Sequence, residues 1–333
     1  MTGLPAPPEL RHSRITGLGA YRPRRRVPNS ELVERIDSSD EWIRTRSGIV
    51  ERRWAEPDET LVMMSVKAAE DALDEAGLRP ADVDLVIVAT FTHLMQTPAA
   101  ATLVADALGA TPAGAFDVSA ACAGFCYALG IASDLVRGGT AENVLVIGAE
   151  RMSDLLDLDD RGTAFIFGDG AGAVVVGPSD TARIGPTVWG SDGAQGGLIT
   201  SRQSWNEAFA AEKPVWPALS MEGNPVYRWA SYEMSAFAEQ TLKHSGVTVD
   251  DLDVFVPHQA NMRITDLMAR RLGLPERVSI GRDIETQGNT SAASIPLALD
   301  RLRQDGQAHR DDLALLVGFG AGLAYAAQVV ALP

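Results

Sequence analysis

The sequence of 333 residues contains little cysteine and little lysine. Its two cysteines, Cys122 and Cys126, cannot form a disulfide framework or complete a zinc cluster by themselves, so we expect no metal site. It has only three lysines and a formal net charge of −15, which argues against nucleic-acid binding. No signal-peptide pattern opens the chain, and a reducing cytoplasm is therefore the expected compartment.

One stretch has the length and apolar character of a membrane span, namely residues 313–332. The glycine-rich residues 318–322 divide it into two pieces of strand length. We therefore predict two buried strands joined by a tight turn and no association with a membrane.

The sequence repeats itself at a distance of about half its length. A Gly-x4-Asp-x-Asp pattern in residues 77–84 recurs in residues 246–253, and each copy stands between a helix-like stretch and an apolar strand. We predict two similar halves, residues 1–180 and 181–333, in an α/β fold whose mixed sheets are covered by helices. The junction between the halves is a natural place for a site. Residues 191–225 break the pattern and are predicted to form an inserted loop or lid.

Cys122 lies where an apolar strand-like run ends and a helix-like run of small residues begins. A cysteine near the positive end of a helix has a lowered thiol pKa, which makes the thiolate available near neutral pH. We therefore interpret Cys122 as a covalent nucleophile. Cys126, one helical turn further on, is predicted to be a buried packing residue.

Three further features of the second half are candidates for the same chemistry. His258 ends an apolar strand, a position where α/β proteins place reactive groups. Asn289 stands in a turn of small residues and either caps the following helix or donates its amide. The glycine-rich turn at residues 318–322 can offer backbone N–H groups to an oxyanion and is followed by a strand, unlike a phosphate loop.

Several segments, taken in order, resemble the β-ketoacyl-acyl-carrier-protein synthase III family of the thiolase superfamily. They are residues 39–49, the segment around Cys122, and residues 160–172, 257–263, 288–291 and 318–322. Asn289 separates the chain from elongating ketosynthases, which have a second histidine there. The resemblance implies a thiolase-like duplicated αβαβα five-layer fold with mixed sheets, and a homodimer.

The resemblance also implies roles for individual residues. Cys122 would accept the acyl group of an acyl-CoA, while its own N–H and that of Gly320 hold the oxyanion. His258 and Asn289 would then bind the thioester oxygen of malonyl-acyl-carrier protein. Loss of carbon dioxide would give an enolate that attacks the acyl group on Cys122. Coenzyme A is a substrate in this scheme, and no cofactor is implied.

The implied contacts with coenzyme A are spread along the chain. Trp42 and Arg161 match positions that flank the adenine, and Arg46 matches a position at the phosphates. Asn224 and Asn261 match positions along the pantetheine arm.

Two more residues are implied to meet protein partners. Arg263 matches a basic position used for docking the carrier protein, which suits a local basic patch on an acidic enzyme. Thr97 matches a loop of the dimer partner that closes the acyl pocket. Because Thr97 is small, we predict acceptance of acyl groups larger than acetyl.

The reaction leaves several alternatives open. Initiation of fatty-acid synthesis is the first reading, and priming of a type II polyketide pathway with a non-acetyl starter is the second. An acyltransferase that forms an ester from acyl-Cys122 is a third. A silent acyl-CoA-binding homologue would have no need of Cys122, His258 and Asn289 together.

Overall fold

The computed structural model describes residues 11–333. Its strands are β1 (His12–Tyr21), β2 (Arg25–Pro28), β3 (Glu51–Trp54), β4 (Leu85–Ala89), β5 (Gly114–Val118), β6 (Val144–Arg151), β7 (Asp169–Ser179), β8 (Val188–Gly190), β9 (Ile199–Ser201), β10 (Leu219–Met221), β11 (Val254–Pro257), β12 (Ser279–Ile280), β13 (Leu313–Phe319) and β14 (Tyr325–Ala331). Its helices are α1 (Asp40–Ser47), α2 (Leu61–Ala76), α3 (Ala100–Leu108), α4 (Gly124–Arg137), α5 (Trp205–Ala210), α6 (Gly223–Ser245), α7 (Met262–Leu272), α8 (Ile284–Gln287) and α9 (Ser294–Gln304).

Two five-stranded sheets form the frame of the molecule. The first has the spatial order β1-β7-β6-β4-β5, and the second has the order β12-β11-β13-β14-β8. In the first sheet β4 pairs in parallel with β5 and β6, whereas β7 pairs antiparallel with β6 and β1. The second sheet combines parallel and antiparallel pairs in a similar way. Both sheets are therefore mixed, and each takes its strands from one half of the chain.

Helices cover both sheets and fill the space between them. Ile87 of β4 and Val254 of β11 belong to one core that also holds α4 and α9, so these two helices lie between the sheets. On β4, the residues on either side of Ile87, Val86 and Val88, face the opposite side of the sheet and pack in a core with α2 and α3. Helices α6 and α7 cover the outer face of the second sheet. This alternation along β4 is expected because successive residues of a strand face opposite sides of the sheet. The layers are α2 with α3, the first sheet, α4 with α9, the second sheet, and α6 with α7, so the predicted five-layer fold is confirmed.

The repeated aspartates make the same contact in both halves. Oδ2 of Asp84, before β4, accepts the N–H of Asn143 at 3.0 Å, and Oδ2 of Asp253, before β11, accepts the N–H of Leu313 at 3.0 Å. Each carboxylate thus satisfies a backbone donor at the start of the neighbouring parallel strand.

The apolar stretch near the C-terminus forms β13 and β14, which pair antiparallel along their length. The prediction of two buried strands is confirmed. Within residues 11–333, no helix is long and apolar enough to cross a membrane.

Residues 191–225 have more regular structure than the sequence suggests. Strands β9 and β10 pair as a small antiparallel ladder, with α5 between them. Helix α5 begins at a capping box, in which Glu207 Oε2 accepts the N–H of Ser204 at 2.8 Å. Trp216 Nε1 donates to the Asp154 carbonyl at 2.7 Å and fastens the segment to the first half.

Candidate active site

A cavity of about 600 Å³ opens where the turns of the two halves meet. It brings together ten of the residues selected from the sequence: Trp42, Arg46, Cys122, Arg161, Asn224, His258, Asn261, Arg263, Asn289 and Gly320. Thr97 is not among the lining residues and lies exposed on the surface of the chain.

Cys122 occupies the short turn Ala121–Ala123, between β5 and the first residue of α4. Burial, with a smaller contribution from the nearby carboxylate of Glu150, raises the pKa of its thiol to about 12, while a hydrogen bond with Ser291 acts in the opposite direction. The expectation of a lowered thiol pKa is therefore wrong, because removal of the thiol from water disfavours the charged thiolate. The thiol is protonated at neutral pH, so its attack on a thioester requires a proton acceptor.

His258 follows β11 and is fixed by its backbone and by its ring. Its N–H donates to the Val317 carbonyl at 2.8 Å, and its Nδ1 lies 2.7 Å from Ser294 Oγ. Ser294 Oγ also accepts the N–H of Gln259 at 3.3 Å, which favours donation of the hydroxyl proton to Nδ1. The proton of the imidazole then resides on Nε2. Burial lowers the pKa of His258 to about 3, so the ring is a neutral donor.

Asn289 is held on three sides and keeps one polar group for the cavity. Its N–H donates to the Ile166 carbonyl at 2.9 Å, and its carbonyl accepts the N–H of Gly168 at 3.0 Å. Its Oδ1 accepts the N–H of Ser291 at 2.9 Å. Its Nδ2 makes no hydrogen bond to residues 11–333. Asn289 therefore holds the start of the following turn through Oδ1 and keeps an amide donor for the cavity.

Gly320 lies directly against the nucleophile. A Cβ at this position would stand 2.9 Å from the backbone nitrogen of Cys122 and 3.1 Å from its Sγ, so only glycine permits this approach. However, the Gly320 N–H donates to the Ala324 carbonyl at 2.9 Å. It is not free for an oxyanion, and the expectation for this N–H is wrong. The next residue, Ala321, also lines the cavity and begins a short turn, where the first N–H groups lack partners within the turn.

Trp42 forms one wall of the cavity beside a cluster of buried apolar residues, most of them from the first half. The guanidinium carbon of Arg161 lies 5.1 Å from the centre of its ring, and that of Arg46 lies 6.0 Å from it. A flat ring held between Trp42 and Arg161 needs about 7 Å, or two contacts of about 3.5 Å. The distance of 5.1 Å is shorter than this, so the present spacing leaves no room for an adenine between Trp42 and Arg161.

Asn261 uses its side chain to connect two helices. Its Nδ2 donates to the Arg46 carbonyl at 3.0 Å, and its Oδ1 accepts the N–H of Arg263 at 3.0 Å at the start of α7. Arg263 is exposed at the mouth of the cavity, with its guanidinium carbon 5.0 Å from the centre of the Tyr227 ring. Asn224 is exposed in the first turn of α6.

Four residues at the site were not selected from the sequence: Glu150, Ser291, Ser294 and Ala321. Glu150 is a buried acid near the end of a strand that is apolar up to that point, and an acid in such a strand was a signal that the sequence offered. Ser291 and Ala321 are small residues that begin short turns, and Ser294 is the first residue of α9. No feature of the sequence distinguishes these three from their neighbours.

Two family models match the chain. One describes 3-oxoacyl-[acyl-carrier-protein] synthase III and matches residues 116–193. The other describes the C-terminal part of the same synthase and matches residues 242–332.

Curated relatives and solved structures agree with these models. The chain is 55% identical to β-ketoacyl-[acyl-carrier-protein] synthase III 1 of Streptomyces coelicolor, with 97% of each chain covered. The priming β-ketosynthase of the R1128 polyketide pathway superposes with a TM-score of 0.97 at 52% identity, covering 100% of this chain and 99% of that one. The synthase III structure from Aquifex aeolicus gives 0.89 at 39% identity, covering 96% and 99%. The chain therefore belongs to the 3-oxoacyl-[acyl-carrier-protein] synthase III family of condensing enzymes.

Proposed function

We propose that the protein condenses an acyl-CoA starter with malonyl-acyl-carrier protein, with loss of carbon dioxide, through an acyl-Cys122 intermediate. The observation that carries this proposal is the meeting of Cys122, a neutral His258 and the unused amide of Asn289 in one cavity. The product is a 3-oxoacyl-acyl-carrier protein.

In the first step the sulfur of Cys122 attacks the thioester carbonyl, and coenzyme A leaves with the electron pair of the broken carbon–sulfur bond. Negative charge develops on the carbonyl oxygen. The N–H groups of Cys122 and Ala321 are the proposed donors to that oxygen, and each is worth about 3 kcal/mol in the transition state.

In the second step the malonyl thioester occupies the same cavity. His258 Nε2–H and the Asn289 amide donate to its thioester oxygen, where charge develops as carbon dioxide departs. The resulting carbon nucleophile attacks the acyl carbonyl and releases the sulfur of Cys122. Both donors are neutral, so they stabilise the developing charge without forming an ion pair in the resting site.

We assign coenzyme A to the wall formed by Trp42, Arg46 and Arg161, with Asn224 and Asn261 along its pantetheine arm. Two arginines suit its phosphates, and the face of Trp42 suits its adenine. Coenzyme A is a substrate here, and the scheme requires no resident cofactor or metal because backbone and side-chain donors stabilise the charge that develops.

The carrier protein is assigned to the face around Arg263. Arg270 and Arg271 are exposed on the same helix, α7, so that the acidic chain presents a local basic surface there. Such a surface steers an acidic partner towards the mouth of the cavity.

A homodimer that pairs two copies of β5 would complete the site. Strand β5 is an edge of the first sheet, and it exposes Phe116 at 37%. The adjoining loop exposes Leu94 at 43% and Met95 at 54% and also carries Thr97. Unpaired strand edges with apolar neighbours favour association. Both cysteines are free, which suits a cytoplasmic enzyme.

Priming of a polyketide pathway is a second candidate. It is favoured by the TM-score of 0.97 over 100% of this chain with a priming ketosynthase. The small side chain of Thr97 supports it too, because it leaves room for a starter larger than acetyl.

Intact-protein mass spectrometry after incubation with a panel of short-chain acyl-CoAs tests the proposal. We expect an acyl adduct on the wild type and on Cys126→Ala, whose cysteine is buried away from the cavity, and none on Cys122→Ala. The relative rates then rank the starters. An adduct that persists in Cys122→Ala, or a wild type that forms none, contradicts the proposal.

A further inference from the structure

Glu150 is a fully buried carboxylate that the steps above do not use. One of its oxygens, Oε2, accepts the hydroxyl of Thr92 at 2.6 Å and that of Thr90 at 3.0 Å. The same oxygen accepts the N–H of Thr92 at 3.2 Å and that of Phe91 at 3.3 Å. This oxygen is saturated, and its donors fix the orientation of the whole carboxylate.

The other oxygen points to the nucleophile through one intermediate residue. Oε1 accepts the hydroxyl of Ser291 at 3.1 Å. The same hydroxyl lies beside Cys122 and acts to lower the pKa of its thiol, against the effect of burial. A Cβ at Gly148 would lie 2.3 Å from the Ala292 carbonyl oxygen, so glycine there lets the Ser291 turn approach β6. Ser291 thus stands between a buried acid and the reacting sulfur.

The first step of the reaction needs such a group. The Cys122 thiol is protonated, and its proton must leave when the sulfur attacks. In the tautomer favoured by Ser294, Nδ1 accepts the serine hydroxyl and Nε2 carries the ring proton, so neither nitrogen of His258 is free to take the thiol proton. Burial raises the pKa of Glu150 to about 7, so its carboxylate is present at neutral pH and binds a proton readily.

We propose that Glu150 and Ser291 form a buried relay that removes the proton of the Cys122 thiol as the sulfur attacks the acyl-CoA. The inference rests on the proposed function. The S–H bond breaks and its proton moves to Ser291 Oγ, while the hydroxyl proton of Ser291 moves to Glu150 Oε1. The reverse transfer returns the proton when condensation releases the sulfur of Cys122. Ser291 touches the reacting atom, and Glu150 acts through it.

The charged and titratable groups near Glu150, other than Cys122, have partners of their own. The titratable group that faces it is Cys122, from the turn after β5. Arg151, the next residue, pairs with Asp154 at 3.2 Å, and Asp169 on β7 accepts the Ser153 hydroxyl at 2.6 Å. The remaining partners of Glu150, from the segment after β4 and the turn before α9, carry no charge.

The test is the rate of Cys122 acylation by acyl-CoA, followed by intact mass from about pH 5.5 to about pH 9. We expect the wild-type rate to rise through about pH 7 and then level off, because the relay needs the carboxylate. Glu150→Gln keeps the shape, and its remaining oxygen can still accept from Thr90 and Thr92, but its NH2 group towards Ser291 cannot accept a proton. In Glu150→Gln the acylation rate should no longer rise through about pH 7 and should be at least about tenfold below that of the wild type. We expect the same two changes in Ser291→Ala.

Decarboxylation of malonyl-acyl-carrier protein provides the control, because it uses His258 and Asn289 and no thiol proton. It should proceed at the wild-type rate in Glu150→Gln, and Glu150→Asp should recover part of the acylation rate. Ser291→Ala keeps its backbone bond to Asn289 and gives the same test if Glu150→Gln does not fold. If both variants are acylated at the wild-type rate with the wild-type pH profile, the relay is refuted. It is also refuted if decarboxylation slows as much as acylation does. A wild type that is never acylated refutes the proposed function instead.

Discussion

Ala321 carries the N–H that the proposed mechanism aims at the acylation oxyanion. Ala321→Pro removes this N–H, and the position tolerates proline sterically because it begins a helical turn and follows an extended residue. We expect the acylation rate constant to fall by about 10² to 10³. Stopped-flow or rapid-quench acylation measures it, with Ala321→Ser as the control that keeps the N–H. An unchanged rate in the proline variant would show that the oxyanion lies elsewhere.

His258 gives a prediction about pH. Because burial holds its pKa at about 3, the imidazole stays neutral as pH falls through 6.5, and decarboxylation should show no loss at that pH. In the unfolded chain His258 binds a proton below about pH 6.5, whereas in the folded chain it does not until about pH 3. As the pH falls from about 6.5, this residue should therefore lower the free energy of unfolding by about 1.4 kcal/mol per pH unit. Thermal unfolding at several pH values, compared with His258→Asn, isolates this contribution. A kinetic pKa near 6.5 that belongs to His258 would contradict the prediction.

Some residues of the site could be predicted from the sequence and others could not. Cys122, His258 and Asn289 were selectable because each follows a strand or opens a small-residue turn. The direction of the Cys122 pKa was wrong because the depth of burial is a property of the packed halves. Ser291 and Ala321 were missed because their roles depend on which backbone groups remain unpaired after folding.

Among the elements, α7 depends on one side chain for its position. Asn261 caps its N-terminus and binds the carbonyl of Arg46 on α1. We expect Asn261→Ala to lower the free energy of unfolding by about 1 kcal/mol. Asn261→Ser keeps a capping oxygen but is too short to reach Arg46, so most of the stability should return. Thermal unfolding compares the two, and equal losses would show that the link to α1 matters more than the cap.

The elements themselves were largely predictable. The repeated aspartate pattern and the apolar strands predicted the duplicated halves and the mixed sheets, and the family resemblance predicted the five layers. The ladder of β9 and β10 was not foreseen. Its strands lie on either side of α5, and each has only three residues, so no local periodicity reveals their pairing.

At the scale of the whole molecule, the exposed edge of β5 predicts association. Phe116→Arg places a charge on that edge, and we expect it to convert a dimer into monomers in analytical ultracentrifugation. Phe209→Arg changes an aromatic residue that is 62% exposed on α5 and should leave the dimer intact. A monomeric wild type, or dissociation by both variants alike, would contradict this arrangement.

Thr97 links the dimer to the choice of starter. If the partner's loop closes the acyl pocket, Thr97→Phe should shrink it and favour acetyl-CoA over branched four-carbon acyl-CoAs. Each methylene of the larger starter that no longer fits should raise its activation free energy, relative to that of acetyl-CoA, by about 1–3 kcal/mol. Competition between two acyl-CoAs, measured by intact mass, gives the ratio. A wild type that accepts acetyl-CoA and rejects larger starters would refute the assignment of Thr97.

The two turns that face each other at the site have a common shape. The turn that carries Cys122 begins at Ala121 with φ of 46°, and its counterpart begins at Ser291 with φ of 50°. They pack against one another, and Ala292 stands where a second thiol would be. This is the arrangement expected after gene fusion of an ancestral self-associating chain. In such a fusion one copy would keep the nucleophile, and the other would be free to supply the amide of Asn289 and the hydroxyl beside the sulfur.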